Sequence, residues 1–184
     1  YPVASSDVTI KGITIQSSSS RGSAVRTEGS TVTLGKDCLI KGFSTYKNGG
    51  ALWGDPASTI YMTENSRITD CHCESPTYGG GAICSDGKVY IGDDAVISGC
   101  STTKKDGGAV LVNNTKAKLT LYGNALIENC TAATSGGAIR GTNNAVIEIK
   151  DNAHITGCKA LNGNGGAICD NYTGASMTIS GNVV

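Results

Sequence analysis

A chain of 184 residues has room for one domain and little more. Its 15 basic and 15 acidic side chains cancel, which removes the electrostatic footprint of a nucleic-acid binder. A hydrophobic share of 39% excludes a disordered chain, a single Phe and a single Trp exclude a core built on aromatics, and no apolar run reaches the ~20 residues of a membrane span.

Short stretches rich in Ile, Val and Thr alternate apolar with polar residues from Val8-Thr9-Ile10 onward, with Gly, Asn, Asp and Ser between them. No stretch keeps helical spacing. The first series of pairs is Val32/Leu34, Ile60/Met62, Val89/Ile91, Leu119/Leu121, Ile147/Ile149 and Met177/Ile179. Each is followed three residues later by Asp37, Asn65, Asp94, Asn124, Asn152 or Asn182. A second series reads Ile10/Ile13, Ile40/Phe43, Ile68/Cys71, Ile97/Cys100, Ile127/Cys130 and Ile155/Cys158. The third is Gly-Gly-Ala-apolar, centred on Ala51, Ala82, Ala109, Ala138 and Ala167, with a weaker copy at Ala24; its steps are 27, 31, 27, 29 and 29 residues.

Three series in one phase predict a repeat of three short strands that cannot bury its apolar side alone, so that neighbours must stack. The predicted fold is all-β: one parallel β-helix over residues 1–184, about six three-strand coils of ~29 residues spaced ~4.8 Å apart. Right-handedness follows from the crossover preference of parallel strands. The Gly-Gly pair supplies positive φ and close approach, and Ala fills a tight corner. The Asp/Asn series is expected in the left-handed conformation, with its amides stacked along the axis. Loop length varies most ahead of Gly-Gly-Ala, where inserts point outward. No secretory leader opens the sequence, and both ends fall inside the pattern, so a mature or excised piece of a longer β-helix is expected.

The stretch from Ile127-Glu128-Asn129-Cys130 to Gly136-Gly137-Ala138-Ile139 resembles the repeat of chlamydial polymorphic membrane proteins, marked by F-x-x-N followed by G-G-A-[ILV]. Similar repeats occur in large adhesin-like surface proteins of gut microbes. The second half matches in five coils; in the first half Ile stands for Phe and Cys for Asn. The resemblance implies an extracellular, microbial cell-surface β-helix with an adhesive role, whose partner is a host protein or a glycan. It transfers no binding residue.

Eight cysteines in a surface protein would ordinarily mean disulfides. Cys71, Cys100, Cys130 and Cys158, however, recur at one position that earlier coils fill with apolar residues. In-register Cβ atoms ~4.8 Å apart are too distant for a bridge, so these four are expected to form an inward thiol ladder. Cys38 fills a small corner slot occupied elsewhere by Ser66, Ala95, Ala125 and Ala153. Cys84 and Cys169 lie three coils apart, and Cys73, in the long loop ahead of Cys84, is the one candidate partner for a disulfide with it. Cys71-His72-Cys73 has no second ligand pair, which argues against zinc; no metal or cofactor is expected.

β-helices also carry polysaccharide lyases and hydrolases, whose chemistry needs carboxylates converging across neighbouring coils. The outward columns Thr33, Tyr61, Tyr90, Thr120, Glu148, Thr178 and Lys41, Thr69, Ser98, Glu128, Thr156 hold no such pair. Neither does the third, Trp53, Cys84, Leu111, Arg140, Cys169. The segment is therefore expected to be non-catalytic. Trp53, Tyr61, Tyr90 and Tyr78 are the candidate binding residues, since exposed aromatics on a rigid sheet suit protein or sugar contacts. The alternatives are a carbohydrate-active β-helix enzyme and a passive stalk whose coils touch only one another.

Overall fold

The computed structural model describes residues 6–18, 21–171 and 174–184. Every described strand is parallel to its neighbours and pairs with the equivalent strand one coil away. The first sheet has seven strands: Asp7–Ile10, Thr31–Leu34, Thr59–Met62, Lys88–Ile91, Lys118–Leu121, Val146–Ile149 and Ser176–Ile179. The second has six: Thr14–Gln16, Leu39–Lys41, Arg67–Thr69, Val96–Ser98, Leu126–Glu128 and His154–Thr156. A third, of two-residue strands, runs through Ser44–Thr45, His72–Cys73, Ser101–Thr102, Thr131–Ala132 and Lys159–Ala160. The fourth contains Val25–Thr27, Leu52–Gly54, Ile83–Ser85, Val110–Asn113, Ile139–Thr142 and Ile168–Asp170. The fold is the expected parallel β-solenoid, with one short strand more per coil than the three expected. Two residues are too few to show alternation in a sequence.

Inward columns make the core. Ile40, Ile68, Ile97 and Ile127 on the second sheet are fully buried, as are Leu34, Met62, Ile91 and Leu121 on the first. A side chain on one coil rests on its equivalent above and below, so small residues substitute for bulk only where a corner narrows. Ala51, Ala82, Ala109 and Ala138 occupy such a corner, each fully buried and joined to the next by a backbone hydrogen bond of 2.8–2.9 Å.

The Gly-Gly pair divides two tasks. Gly136, the first of its pair, sits at φ 67°. Gly137, the second, faces the adjacent coil so closely that a Cβ would lie 1.9 Å from the Gly166 carbonyl oxygen. The first needs a backbone that L side chains rarely adopt, and the second needs the absence of a side chain.

Two expectations about the turns are corrected. The pairing sets Ile15 on Ile40 and Ile10 on Leu34, so Ile13 heads the column of Cys38, Ser66 and Ala95 and lies outside the column of Phe43 and Cys71. The first turn is one residue shorter than its successors, which lets Ile10/Ile13 imitate the later spacing. The left-handed residue of that turn is also, after Asp37, the one before the Asp/Asn series: Glu64, Asp93, Gly123, Asp151 and Gly181. The series itself forms the ladder. Asn65 Nδ2 donates to Asp37 Oδ1 (2.6 Å), Asn124 to Asp94 (3.1 Å), Asn152 to Asn124 (3.4 Å) and Asn182 to Asn152 (3.4 Å).

Candidate functional site

Loop length between the third and fourth sheets decides where the solenoid can open. From the residue paired in the third sheet to the corner alanine, the chain takes three residues in the first coil (Arg21 to Ala24) and seven in the second (Ser44 to Ala51). The third coil takes ten (His72 to Ala82). The short first loop leaves a step, and the long third loop rises beside it. Between them lies a cleft of about 760 Å³.

Its walls come from three coils. Arg21 and Arg26 belong to the first, Tyr46, Lys47, Asn48 and Trp53 to the second, and Ser75-Pro76-Thr77-Tyr78 to the third. Local hydrogen bonds fix the loops. Ser75 Oγ accepts from the N–H groups of Thr77 and Tyr78, both at 3.1 Å, a Ser turn that spans Pro76 and fixes the backbone leading to Tyr78. Thr45 Oγ1 accepts from Lys47 N at 3.0 Å. The buried Cys73 thiol donates to the Lys47 and Tyr78 carbonyls (3.5 and 3.7 Å), tying one loop to the other.

Two of the cations sit over aromatic rings. The Arg21 guanidinium is 4.4 Å from the Tyr46 ring centroid, and that of Arg26 is 4.4 Å from the Trp53 ring. Arg21 Nη1 reaches Glu74 Oε1 at 2.8 Å; the Ser44 hydroxyl and this arginine together hold the Glu74 carboxyl below its usual range. Arg26 takes Glu28 Oε1 through Nε and Nη2 (2.8 and 2.5 Å). Asn48, with its amide oxygen toward the indole, accepts from Trp53 Nε1 at 2.7 Å, which pins the ring.

Of the four aromatics singled out from the sequence, the fold brings two together. Trp53 and Tyr78 share the cleft; Tyr61 and Tyr90 stand on the first sheet, stacked on each other with ring centroids 4.9 Å apart. The residues that sequence reasoning missed are Arg21, Arg26, Tyr46 and Lys47. One signal was there: Arg26 sits two residues after Ala24 as Trp53 does after Ala51, so extending the third column by one coil yields the stacked pair.

That third column differs from expectation in another way. Cys84, Leu111, Arg140 and Cys169 point outward from the sheet yet are buried, because the loops of their own edge fold over them. The Arg140 guanidinium lies there with Nη1 2.5 Å from Cys169 Sγ and Nε 3.8 Å from Asp106 Oδ2.

All eight cysteines are free thiols, Cys73 and Cys84 included. Burial pushes Cys84 well above the usual thiol range, with the charges of Asp86 and Cys73 adding to it. Cys71, Cys100 and Cys130 are fully buried and Cys158 partly so. Each donates to the carbonyl two residues before it at 3.2–3.4 Å, so the inward ladder forms with its S–H groups satisfied by backbone. His72 Nδ1 pairs with Ser101 Oγ at 2.8 Å, and among the described residues no three His, Cys, Asp or Glu side chains gather as metal ligands would. Asp55 and Asp86, on neighbouring coils at the turn from the fourth sheet to the first, are close enough for the charge of Asp55 to raise the Asp86 carboxyl. Asp55 is a turn cap: its Oδ1 accepts from Gly29 N, Ala57 N and Ser58 Oγ.

Compared with known proteins, the chain matches no family model, no curated protein and no solved structure. Among the described residues no helix is long and apolar enough to cross a membrane.

Proposed function

We propose that the chain is a non-catalytic repeat segment of a microbial cell-surface, adhesin-like protein, and that it holds a host protein or glycan in the cleft at the edge of its first three coils. The observation that carries this reading is the convergence of Trp53, Tyr46 and Tyr78 with three cations in one concave opening on an otherwise regular solenoid. Binding sites are concave, and Tyr, Trp and Arg are the side chains that dominate recognition energy. Loops held by a rigid scaffold are where such contacts gather. The repeat's resemblance to surface-protein coils supports the extracellular setting.

The test is capture from host secretions on the immobilised 184-residue chain, beside a Trp53→Ala variant and a Tyr78→Ala variant. Retention of a host protein or glycan by the parent chain and its loss in both variants is the expected result. Equal capture by all three would remove the cleft from the reading, and no capture would favour a segment that only projects another domain.

A further inference from the structure

We propose that the cleft receives a short acidic saccharide, its carboxylate or sulfate held by Arg21, Arg26 and Lys47 and a sugar ring laid against Tyr46, Tyr78 and Trp53. The proposal rests on the reading of this cleft as the binding site and adds the chemistry of what enters it.

Charge gives the first argument. Every charged side chain that lines the cleft is basic, while the glutamates that pair with the two arginines, Glu28 and Glu74, are not among the lining residues. Lys47 has no acidic partner among the described residues. An anion entering here meets one cation without an acidic partner, Lys47, and two arginines that share their charge with glutamates outside the lining.

The arginines are also prepared for an oxyanion. Each guanidinium lies 4.4 Å from the centroid of the ring it covers and bonds a glutamate at one edge, which reduces the freedom left to lose on binding. Arg21 reaches its glutamate through Nη1, and Arg26 through Nε and Nη2. A guanidinium carries five N–H donors, so each fork keeps donors for a second, planar acceptor. Both side chains are at least half exposed, at 50% and 62%.

Shape selects the rest of the ligand. Tyr46 and Tyr78 are exposed, at 52% and 39%, and a tyrosine combines an apolar ring with a polar hydroxyl. A pyranose presents an apolar face of C–H groups and a polar rim, the same division as a tyrosine. A volume of about 760 Å³ falls within the roughly 300–1,000 Å³ of small-ligand sites. An extended peptide is the poorer fit. The main chain beside the cleft is already committed between coils, with Glu74 N donating to Thr45 O at 2.8 Å and Gly49 N to Gly79 O at 3.4 Å. Among the described strands beside it, the open ladder is the edge strand Val25–Thr27, and its three residues offer strand addition little length.

Trp53 is the only tryptophan, so its emission reports on the cleft. The 184-residue chain would be titrated with trigalacturonate, a sulfated galactose trimer, the neutral galactose trimer and a glutamate-rich peptide, with calorimetry in parallel. The expected result is a saturable change in Trp53 emission with the acidic sugars, at least about tenfold tighter than with the neutral trimer and weaker in high salt. Which acidic trimer binds tells carboxylate from sulfate. Arg21→Ala and Arg26→Ala should each loosen it by about tenfold, and Arg26→Lys, which keeps the charge and loses the fork, should recover only part. Circular dichroism of each variant should match the parent. A neutral trimer that binds equally well overturns the charge assignment and leaves the cleft. Acidic-sugar binding that ignores both arginine changes, binding of the peptide alone, or no binding of any probe overturns the proposal, and capture lost in Trp53→Ala would still uphold the cleft.

Discussion

The backbone N–H of Ala109 donates to the carbonyl of Ala138 at 2.9 Å, and the same carbonyl accepts from Val110 N, also at 2.9 Å. One oxygen thereby anchors two successive residues of the coil below, which keeps the corner at its narrowest where the methyl group points inward. Ala138 is fully buried and packed among the core residues. Ala138→Leu would force a larger side chain into a column that has no slack. It should lower stability by about 1–3 kcal/mol, read as a fall in the urea midpoint with an unchanged slope. An unchanged midpoint would mean that the corner is wider than its packing indicates.

Gly137 and Gly166 hold the same place in successive coils but have different surroundings. A Cβ on Gly137 would meet the Gly166 carbonyl oxygen at 1.9 Å and Lys159 backbone atoms at 2.5 Å, whereas one on Gly166 meets nothing within 4 Å. Neither requires positive φ. Gly137→Ala should therefore cost at least about 3 kcal/mol through displaced backbone. Gly166→Ala should fall within about 0.5 kcal/mol of neutral, or stabilise slightly by restricting the unfolded chain. Thermal unfolding of the pair reads the difference directly; equal losses would show that the close approach of Gly137 to the next coil is not what requires glycine there.

The solenoid could be read from residue order because each coil repeats the same constraint, and a period sampled several times survives one misplaced member. Ile13 was such a member. A turn one residue short reproduced the later spacing, and only hydrogen-bond register separates the two alignments. The left-handed position escaped for a related reason. Asp, Asn and Gly are all good turn formers, so composition marks a turn without choosing which of two adjacent residues carries positive φ. The cleft was half visible. Trp53 and Tyr78 stand out as rare side chains, but the cations depend on unequal loop lengths in three coils, and no single repeat contains that information.

The cysteines separate structure from reactivity. Cys73 and Cys84 are buried free thiols, and Cys100 is pushed well above the usual thiol range by its contacts with Cys130 and Cys71 together with burial. Alkylation of the unreduced chain after denaturation should label all eight thiols by mass. In the native state Cys158, the one cysteine not fully covered, should react first, slowed because its contact with Cys130 and burial push its thiol up, and the others only on unfolding. Two labels fewer in the denatured sample, with the unlabelled peptides those of Cys73 and Cys84, would place a bridge between them.

Asp86 should make stability depend on pH with an unusual sign. Burial raises its carboxyl; the Asn113 amide, at 3.2 Å, pulls it back and the charge of Asp55 pushes it up again. A carboxyl raised on folding binds its proton more tightly in the native state, so its ionisation at neutral pH weakens the fold, and the loss is relieved as pH falls through the folded value. Asp86→Asn keeps an acceptor for Asn113 and removes the charge. Its unfolding midpoint should exceed the parent's at neutral pH, and the gap should close in acid. A lower midpoint at neutral pH would show that the carboxylate is needed in its charged form.

Tyr61 and Tyr90 offer a rival binding surface, and their geometry argues for a structural role. Their rings stack at 4.9 Å with planes 13° apart, and both side chains are half-buried on the first sheet. Tyr122 lies in the same region: a Cβ on Gly92 would meet its ring at 2.0 Å, so that ring covers the glycine as the tyrosines cover each other. Aromatic pairs of this kind contribute about 0.5–1.5 kcal/mol beyond the area they bury. In a double-mutant cycle, Tyr61→Ala and Tyr90→Ala should show a coupling of that size in unfolding free energy. Neither should change Trp53 emission on titration with trigalacturonate, because the stack and the cleft are separate. Binding lost with the stack would move the recognition surface to the first sheet, and a coupling near zero would leave the stacked rings without a stabilising role.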